Sequence, residues 1–366
     1  MKILYDHQIF TNQEYGGISR YFYELNIRSK ISIEKNISCL LSNNFYLNSD
    51  LDKKKNFFKN KNILGKQRFM KFVNQNYSLF KIKQNNFDVF HPTYYSTYFL
   101  ESITNKPFVI TFYDMIHEKI SDQFKELNEE KLILKKKLLI EKATRVIAIS
   151  EQTKKDIIEI YNIRGENIDV VYLGNSLLNI NFNMKPIIEH DYILFVGNRS
   201  KYKNFIGFLA SVRDLLIKYN LYLICAGGEK FNQIEIDFIS SLNVLNKVVY
   251  CKINNDDDLA NYYHNSLFFT FPSLYEGFGI PLLESFASRA PILSSNCGSL
   301  PEIAGDAADY FNPNEPHSIF TATENLINDS NRRKILVNLG SKRLTNFSWD
   351  KTYLETLNVY NKALNI

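Results

Sequence analysis

Two glutamates in the second half of the chain, Glu276 and Glu284, are spaced to bind a ligand rich in hydroxyl groups. They lie within FPSLYEGFGIPLLESFASRAPILSSNCGSLPEIAGDAADYFN, with Glu276 in a glycine-containing turn and Glu284 about one turn into the helix predicted after it. A helix N-terminus favours phosphate through its backbone N–H groups and dipole, and carboxylates accept hydrogen bonds from hydroxyls. A diphosphate combined with several hydroxyls describes a sugar nucleotide. Taken alone, the spacing leaves open that Glu276 is a turn residue and Glu284 a solvated helix residue.

The residues around this pair resemble glycosyltransferase family 4. EGFGIPLLE matches the E-x7-E motif of these retaining enzymes, and SLPEIAGDAADYFNP matches the segment that follows it. The resemblance covers nearly the whole chain and implies the GT-B fold, an α/β architecture of two Rossmann-like domains facing a cleft. It implies that Glu276 contacts the donor sugar and Glu284 the ribose. It also places the backbone of three residues near the sugar and phosphate: Phe278, Gly279 and Ile280.

A pair of cations follows the strand predicted at Tyr192–Val196. In GNRSKYKN, which begins at Gly197 and Asn198, Arg199 and Lys203 precede a predicted helix and are well placed to neutralise a diphosphate. The resemblance matches them to the Arg/Lys pair that stabilises the leaving nucleoside diphosphate. The alternative is an ordinary surface charge. The next strand ends at Gly227, where backbone can again approach the donor.

A second glycine pair, Gly16 and Gly17, opens the helix predicted at 18–30, after a first strand at Lys2–Tyr5. Glycine at this place lets backbone come close to a phosphate. By itself the pair is better explained by a plain tight turn. The resemblance implies that its amides reach the donor diphosphate.

Polar and aromatic residues follow two further predicted strands, Val89–His91 and Phe108–Phe112. The carboxyl ends of parallel strands are where ligands collect in such sheets, although any single histidine there can be structural. We interpret four residues as acceptor-binding: His91, Tyr94, Tyr95 and Asp114. The resemblance places a catalytic His-Asp pair where this chain has Tyr113-Asp114, so Tyr113 or His117 is expected to take the histidine's role.

The length of 366 residues, with 45% hydrophobic and 23% charged residues, suits two globular domains. We predict an acceptor-binding domain at 1–175 and a sugar-nucleotide-binding domain at 176–345. An Asn-rich linker is expected at 174–190. Residues 346–366 are predicted to hold a helix, beginning at Trp349, which crosses back to the first domain as in GT-B enzymes.

The sequence favours a cytoplasmic protein. MKILYDHQIF is interrupted by Asp6 and His7 before an apolar signal-peptide core can form, and no stretch approaches 18 apolar residues. The four cysteines form no C-x-x-C pair and are expected to be buried thiols. The run at 256–258, three aspartates, is interpreted as helix capping rather than a metal site. We therefore expect no cofactor and no essential metal.

The first half of the chain carries a basic surplus. Residues 1–175 hold 27 Lys and Arg against 20 Asp and Glu, and residues 53–87 hold ten Lys and Arg with no acid. Five phenylalanines are interleaved with these cations, a pattern suited to an anionic membrane surface. A solvated insertion is the alternative. No nucleic-acid motif accompanies the pattern, so nucleic acid is not an expected partner.

The function expected from these observations is retaining hexosyl transfer from a sugar nucleotide. HPTYYSTYFL, TFYDMIHEK and VGNRSKYKNF resemble segments of bacterial mannosyltransferases that build O-antigen or capsule. That resemblance implies GDP-mannose as donor and a lipid-diphosphate-linked oligosaccharide as acceptor, on the inner face of the cytoplasmic membrane. A UDP- or dTDP-sugar donor, a sugar-nucleotide 2-epimerase and a non-catalytic sugar-nucleotide-binding subunit remain alternatives.

Overall fold

The structure consists of two compact α/β units. The computed structural model describes residues 1–28, 33–50, 56–58, 61, 63–124, 127–177, 180–182 and 185–365. Unit 1 comprises Met1–Leu173 together with Trp349–Ile366, and unit 2 comprises Gly174–Ser348. In each unit, parallel strands form the central layer and helices pack on it.

Unit 1 is built on parallel strands in the orders β2-β1-β3 and β4-β5-β6, joined by a parallel bridge between Phe90 and Phe108. Its strands are β1 (Lys2–Tyr5), β2 (Glu34–Ile37), β3 (Val89–His91), β4 (Val109–Phe112), β5 (Arg145–Ala148) and β6 (Ile168–Val170). Its helices are α1 (Gln8–Asn12), α2 (Gly17–Ile27), α3 (Phe45–Asp50), α4 (Lys66–Gln84), α5 (Ile116–Lys119), α6 (Glu130–Lys142), α7 (Glu151–Tyr161) and the final α15 (Trp349–Leu364).

Unit 2 has a parallel sheet in the order β12-β11-β10-β7-β8-β9. Its strands are β7 (Tyr192–Val196), β8 (Tyr222–Ala226), β9 (Val248–Cys251), β10 (Phe268–Phe271), β11 (Ile292–Ser295) and β12 (Asp309–Phe311). Its helices are α8 (Phe205–Lys218), α9 (Gln233–Ser241), α10 (Asp256–His264), α11 (Ile280–Ala287), α12 (Leu300–Ala304), α13 (Pro316–Asn328) and α14 (Ser330–Leu344). Counted from β7, this is the Rossmann order 3-2-1-4-5-6, which reverses between β7 and β10.

The apolar strands explain why these layers form. YILFV of β7 and FFTF of β10 are almost continuously apolar and buried, as expected for strands covered on both faces. Helix α8 adds six buried side chains to the same core. The strands therefore hold their carboxyl-end loops at one edge of a rigid sheet, where ligands bind in folds of this kind.

Several predicted elements are confirmed with their limits: β1, β3, β7, β9 and the start of α15 at Trp349. Serine favours a helix N-cap, so Ser150 predicts a helix start at 151; it does cap α7, since its side chain accepts the backbone N–H of Thr153. The aspartates at 256–258 form the first turn of α10, and Asn255 is the capping residue. The basic segment 53–87 lies partly outside the described residues, which include α4.

The sequence Ile37–Leu41 predicts a second strand of unit 1, and this prediction is wrong. Strand β2 ends at Ile37, and the backbone N–H groups of Leu40 and Leu41 both donate to Oδ1 of Asn74, at 3.0 and 2.9 Å. A side chain on α4 thus takes the hydrogen bonds that a neighbouring strand would otherwise supply.

Helix α15 belongs to unit 1 although the chain reaches it through unit 2. Its Trp349 is buried, with its ring 6.4 Å from that of Tyr21. Thr352 donates to the backbone carbonyl of Tyr172 at 2.7 Å. The predicted return of the C-terminal helix to the first domain is confirmed by these contacts. In the described part of the chain, no helix is both long and apolar enough to cross a membrane.

His91 lies in the core of unit 1 and not on a ligand-facing surface. Its side chain is fully buried, with Nδ1 hydrogen-bonded to the Tyr360 hydroxyl at 2.7 Å and Nε2 to Oγ1 of Thr111 at 2.9 Å. Tyr360 is also hydrogen-bonded to Tyr5 at 3.2 Å. Both ring nitrogens are therefore occupied inside the protein, which corrects the prediction that His91 binds the acceptor.

We expect His91→Gln to remove a pH-dependent loss of stability. Burial lowers the pKa of His91 to about 3, so below about pH 6.5 the unfolded chain binds a proton that the native state does not. Wild-type stability should therefore fall as the pH drops from about 6.5 towards 3, by roughly 2 kcal/mol at pH 5.

Urea unfolding followed by the fluorescence of Trp349, the single tryptophan of the chain, measures this in unit 1. His91→Gln should have a lower urea midpoint at pH 7, because it disturbs the Tyr360 and Thr111 contacts. Its free energy of unfolding should nevertheless fall less than that of the wild type between pH 7 and pH 5. Equal losses in the two proteins over that interval would contradict the assignment.

Candidate active site

The loop after β10 holds Glu276 by its backbone. The backbone carbonyl of Glu276 accepts hydrogen bonds from Ser299, from the N–H at 3.2 Å and the hydroxyl at 3.0 Å. Gly298 packs directly beneath it, because a Cβ there would lie 2.7 Å from that carbonyl oxygen. The loops after β10 and β11 are thus fixed against each other, and the Glu276 side chain starts from a defined position.

Lys203 and Glu276 form an ion pair that joins the two strands flanking the reversal of the sheet. Nζ of Lys203 donates to Oε1 of Glu276 at 2.6 Å, and the side chains are 17% and 14% exposed. Burial acts to lower the pKa of Lys203, but the charge and hydrogen bond of Glu276, together with those of Tyr202, outweigh this, and the net shift is upward. Lys203 therefore stays an ammonium ion in a largely desolvated place, with donors left over for an anion.

Arg199 is also buried, at 4% exposure of its side chain, and is held by a partner that the sequence pattern does not reveal. Its Nε donates to Oε1 of Glu235 at 2.8 Å, and its Nη2 donates to the backbone carbonyl of Glu229. The guanidinium lies 4.6 Å from the ring centre of Phe231. Among the described residues, Nη1 of Arg199 is buried and has no hydrogen-bond partner. That nitrogen is the part of the group still able to bind a ligand.

The loops after β7 and β8 approach each other at their backbones. Gly227 follows β8, and a Cβ on Gly228 would lie 2.8 Å from the carbonyl oxygen of Gly197 and 3.0 Å from Cα of Asn198. Its φ of 66° also favours glycine. The absence of a side chain at Gly228 thus permits the close approach of the two loops, and donor binding by Gly197, Asn198 and Gly227 stays a prediction. Asn198 accepts a hydrogen bond from the Ser200 hydroxyl at 2.9 Å.

The helix predicted after this turn is α11, which is capped by Gly279 and has a proline in its first turn. Phe278 is buried edge-on against Phe347, so its side chain is not available for the predicted contact. Ile280 is the first residue of the helix. Glu284 accepts a hydrogen bond from the Tyr263 hydroxyl at 3.1 Å. Burial, and then Glu284, raise the pKa of Tyr263 well above 10, so the phenol remains a donor that positions the carboxylate.

In unit 1, Tyr113 and Tyr95 are buried at the end of β4. The Tyr95 hydroxyl accepts the backbone N–H of Tyr113 at 3.1 Å. In the described part of the chain, the Tyr113 hydroxyl is buried without a hydrogen-bond partner, an arrangement that costs free energy unless a ligand or water completes it. Burial raises the pKa of Tyr113 well above 10, so its hydroxyl keeps its proton.

The other residues predicted near Tyr113 have structural contacts. Nδ1 of His117 is hydrogen-bonded to the carbonyl oxygen of Leu127 at 3.0 Å. Asp114 accepts the backbone N–H of Ile116 at 3.1 Å. Tyr94 is half-buried beside Tyr95, with ring centres 4.7 Å apart. The structure therefore brings Tyr94, Tyr95, Tyr113 and Asp114 together at one edge of the sheet, without His91.

The glycine pair opens α2, which begins at Gly17. The carbonyl of Gly16 accepts the backbone N–H of Arg20 at 3.0 Å and the Ser19 hydroxyl at 2.9 Å. A Cβ on Gly16 would lie 2.6 Å from Oε1 of Gln13. The pair thus forms a close turn into a helix, as the sequence predicts, and its contact with a donor remains a prediction.

Two family models match the chain, one for each half. The model described as glycosyl transferases group 1 matches residues 181–343, and that of glycosyltransferase family 4 matches residues 53–176. The chain belongs to glycosyltransferase family 4. The family predicted from the sequence is thereby confirmed.

Similar proteins agree with this family. The chain is 29% identical over 235 residues to an uncharacterised glycosyltransferase of Methanocaldococcus jannaschii, covering 60% of each chain. It is 25% identical over 233 residues to O-antigen chain mannosyltransferase B of Escherichia coli, covering 60% of this chain and 61% of that one. The matches thus span about 60% of the length of these curated relatives.

The fold is that of GT-B proteins, with two Rossmann-like units and a C-terminal helix packed on the first. The solved structure of Anabaena HepE in complex with UDP-glucose superposes with a TM-score of 0.73 at 15% identity, covering 99% of this chain and 100% of that chain. At that identity the likeness establishes the fold, which confirms the predicted class.

Sequence reasoning missed the residues that position the family motifs. Glu235 is the third residue of a capping box with Asn232, so the N-Q-I-E pattern indicated a helix start but not the contact with Arg199. Tyr263 and Ser299 carried no local signal, because their partners are distant in sequence. Among the described residues, no group of three or more His, Cys, Asp or Glu side chains is arranged to hold a metal ion.

We expect the pKa of Lys203 to fall in Glu276→Gln. The amide keeps the shape of the side chain but removes the charge, so the burial that lowers this pKa is then opposed by Tyr202 without the Glu276 charge, the largest of the opposing contributions. NMR titration of ¹³C-dimethylated lysines, with the Lys203 signal assigned from Lys203→Arg, measures the shift. Glu235→Gln is the matched control, since Glu235 pairs with Arg199. An unchanged Lys203 titration in Glu276→Gln would show that the pair does not set this charge.

Gly228→Ala should destabilise unit 2 more than Gly197→Ala. Both residues have positive φ, 66° and 108°, so each substitution carries a conformational cost of about 1 kcal/mol. Only at Gly228 would the new Cβ overlap backbone, since no described atom lies within 4 Å of a Cβ on Gly197. We expect an additional loss of roughly 1–3 kcal/mol. Denaturation followed by far-ultraviolet circular dichroism compares the variants, and equal stabilities would contradict the close approach.

Proposed function

We propose that the chain transfers a hexose from a sugar nucleotide to an acceptor hydroxyl, with retention of anomeric configuration. The observation that supports this most is the contact between Lys203 and Glu276. An ammonium suited to a departing diphosphate and a carboxylate suited to sugar hydroxyls lie 2.6 Å apart, at the edge of the sheet where ligands bind. Membership of family 4 supports the same reaction class.

Stabilising the leaving diphosphate is the main chemical task. Negative charge grows on its oxygen as the glycosidic bond breaks, and fixed donors aimed at that position lower the barrier. In the proposal, Lys203 and Nη1 of Arg199 supply positive charge. The backbone N–H groups at the start of α11 add the dipole of a helix N-terminus. These groups supply the charge that a metal would otherwise bring, so the proposed reaction needs no metal or other cofactor.

The two glutamates orient the donor. Glu276 would accept hydrogen bonds from hydroxyls of the sugar, while its contact with Lys203 keeps it close to the diphosphate. Glu284 would accept hydrogen bonds from the ribose, and Tyr263 holds it for that purpose. Distinct positions for sugar, phosphate and ribose fix the donor along α11 and its preceding loop.

The acceptor proton is proposed to leave on the diphosphate. In a retaining transfer without an enzymatic nucleophile, the acceptor attacks from the side on which the diphosphate departs, so a phosphate oxygen can take the proton. Tyr113 is not suited to act as the base, because burial keeps its pKa well above 10. Its unpaired hydroxyl is suited to donate a hydrogen bond to substrate, and His117 remains the other candidate for the family's histidine role.

GDP-mannose is the donor that we propose. The printed name of the Escherichia coli relative, an O-antigen chain mannosyltransferase, supports mannose, as do the resembling segments of the sequence. The acceptor would then be a lipid-diphosphate-linked oligosaccharide of a surface polysaccharide. A UDP-sugar is the second candidate, favoured by the UDP-glucose complex of the Anabaena protein.

Helix α4 supports a peripheral contact with the inner face of the cytoplasmic membrane. Three phenylalanines on it are more than half exposed: Phe69, Phe72 and Phe80. The segment from 53 to 87 supplies cations and no acid. Exposed aromatic rings among lysines suit an anionic lipid surface.

Nucleoside diphosphates should stabilise the protein selectively. At about 100 times its Kd, a ligand adds roughly 2.7 kcal/mol of stability. Thermal unfolding with GDP, UDP, dTDP and ADP in parallel names the donor class, and the proposal expects the largest shift with GDP. Lys203→Ala should abolish the shift. Lys218→Ala is the matched control, since it breaks an exposed Lys–Glu pair in the same unit.

This experiment and an assay of turnover together decide between the alternatives. No shift with any of the four nucleotides would contradict a sugar-nucleotide site. Product formed from donor alone, without acceptor, would identify a 2-epimerase. Wild-type turnover in Glu276→Ala would remove the proposed role of that carboxylate.

A further inference from the structure

Unit 1 contains a pocket where β1 and β3 end. Its volume is about 150 Å³, and its lining includes Asn12, Lys71, Gln75, Tyr94, Ser96 and Lys135. A pocket of this size holds several water molecules and therefore has room for a phosphate group. The strand order of unit 1 reverses at this point, because β1 lies between β2 and β3. Such reversals are the usual ligand sites of parallel sheets.

The walls of this pocket are fixed by buried polar contacts. The carboxylate of Asp6 accepts hydrogen bonds from the Gln8 side chain at 2.7 Å, the Thr93 hydroxyl at 2.7 Å and the Tyr98 hydroxyl at 3.0 Å. The Gln8 side chain in turn accepts the backbone N–H of Ser96 at 2.7 Å. These contacts bind α1 to the loop after β3, so the pocket keeps its shape without a ligand.

Helix α4, which carries Lys71 and Gln75, is held in the same way. The Asn74 side chain donates to Oγ1 of Thr11 at 2.8 Å and to the carbonyl of Leu41 at 2.7 Å. The Ser78 hydroxyl is hydrogen-bonded to Nδ1 of His7 at 2.8 Å. Lys71 and Gln75 are one turn apart, and both therefore point along the face of the helix that lines the pocket.

The pocket carries two exposed lysines, Lys71 and Lys135, that form no ion pair with an acid of the described chain. Neither Lys71 nor Lys135 has a described carboxylate within 4.0 Å. Lys136, the next residue on α6, behaves in the opposite way: it is fully buried and lies 3.0 Å from Glu118. The helix therefore directs one lysine to a buried acid and the preceding one to the pocket.

The remaining polar groups of the pocket are mostly donors or neutral. Burial lowers the pKa of His7, Asp6 opposes this, and Lys71 lowers it further, so this imidazole is neutral. Burial, followed by the charges of Asp114 and Glu129, raises the pKa of Tyr94 to about 12, so the phenol is a proton donor. Of the nearby carboxylates, Asp114 lies 4.0 Å from Lys136. Two ammonium groups, a phenol and amides form a set of donors suited to phosphate oxygens.

We propose that this pocket binds a phosphate or diphosphate ester group of the acceptor substrate, through Lys71 and Lys135. That the ligand is the acceptor rests on the proposed function, whereas the binding of an anion rests on the pocket alone. A neutral sugar would need hydrogen-bond acceptors of the kind that Glu276 supplies in unit 2, and here the two charged side chains are donors. The ligand group can belong to a lipid or to a soluble ester, since the pocket contacts only the anion.

Binding of inorganic diphosphate and of farnesyl diphosphate to the full chain tests the proposal. Calorimetry is done in the Lys203→Ala background, so that the nucleotide site of unit 2 does not compete. The pocket variant is Lys71→Ala with Lys135→Ala. The control is Lys83→Ala with Lys137→Ala, which removes the same charge from equally exposed positions of the same two helices that do not line the pocket. Circular dichroism checks that both variants are folded.

We expect the pocket variant to bind either diphosphate at least about tenfold more weakly, because two charge-assisted contacts are lost, while the control stays within about twofold. Restoring both positions as arginine should recover most of the affinity. An equal loss in the pocket variant and the control, or no binding to the parent protein, would overturn the proposal. Tighter binding of farnesyl diphosphate than of inorganic diphosphate would support a lipid source, and equal binding a soluble ester.

Two further measurements separate this inference from the proposed function. The pocket variant, with Lys203 restored, should keep the thermal shift with nucleoside diphosphates, because both substitutions lie in unit 1. Vesicles of phosphatidylcholine with phosphatidylglycerol should lose binding equally in the pocket variant and the control, since that attraction depends on total charge. If diphosphate binding depends on Lys71 and Lys135 but no nucleoside diphosphate shifts the thermal unfolding, the proposed function is contradicted and the anion pocket is supported. The reverse result would count against the pocket alone.

Discussion

A desolvated ion pair between two loops is the interaction on which the candidate active site of unit 2 depends. Lys203 follows β7 and Glu276 follows β10, and each would be costly to bury without the other. Their contact makes the positions of the two loops depend on each other. It also keeps a positive and a negative group side by side, which is what a ligand with both phosphates and hydroxyls requires. Each loop is in turn packed against a glycine of a neighbouring loop, Gly228 against Gly197 and Asn198 and Gly298 against Glu276.

Unit 1 solves a different problem with neutral polar groups. His91, Thr111, Tyr5 and Tyr360 form a hydrogen-bonded chain inside its core, and such networks are stable only when nearly every member is satisfied. The Tyr113 hydroxyl, close by at the end of β4, is left without a described partner. The hydrogen-bonded network therefore stabilises unit 1, whereas the Tyr113 hydroxyl is suited to bind a ligand.

The sequence predicted the parts of the fold that local patterns determine. Apolar runs bounded by polar residues gave β7 and β9 with their limits, and the family motif located the loop that contains Glu276. The sequence prediction was wrong where a side chain distant in sequence takes a hydrogen-bonding group. Asn74 takes the amides of Leu40 and Leu41, and Tyr360, 269 residues further along, takes the His91 ring. The pairing of Arg199 with Glu235 belongs to the same class, because neither residue's neighbours in sequence indicate the contact.

The place of α15 has a consequence for the order in which the chain can fold during synthesis. Unit 2 is continuous from Gly174 to Ser348, whereas unit 1 needs residues from both sides of it. Since a ribosome delivers the chain from its N-terminus, unit 2 has all of its residues before Tyr360 exists to meet His91. The N-terminal part of unit 1, Met1–Leu173, is therefore synthesised before the helix that covers His91 and its sheet. Unit 1, which begins the chain, is therefore the last unit to be completed.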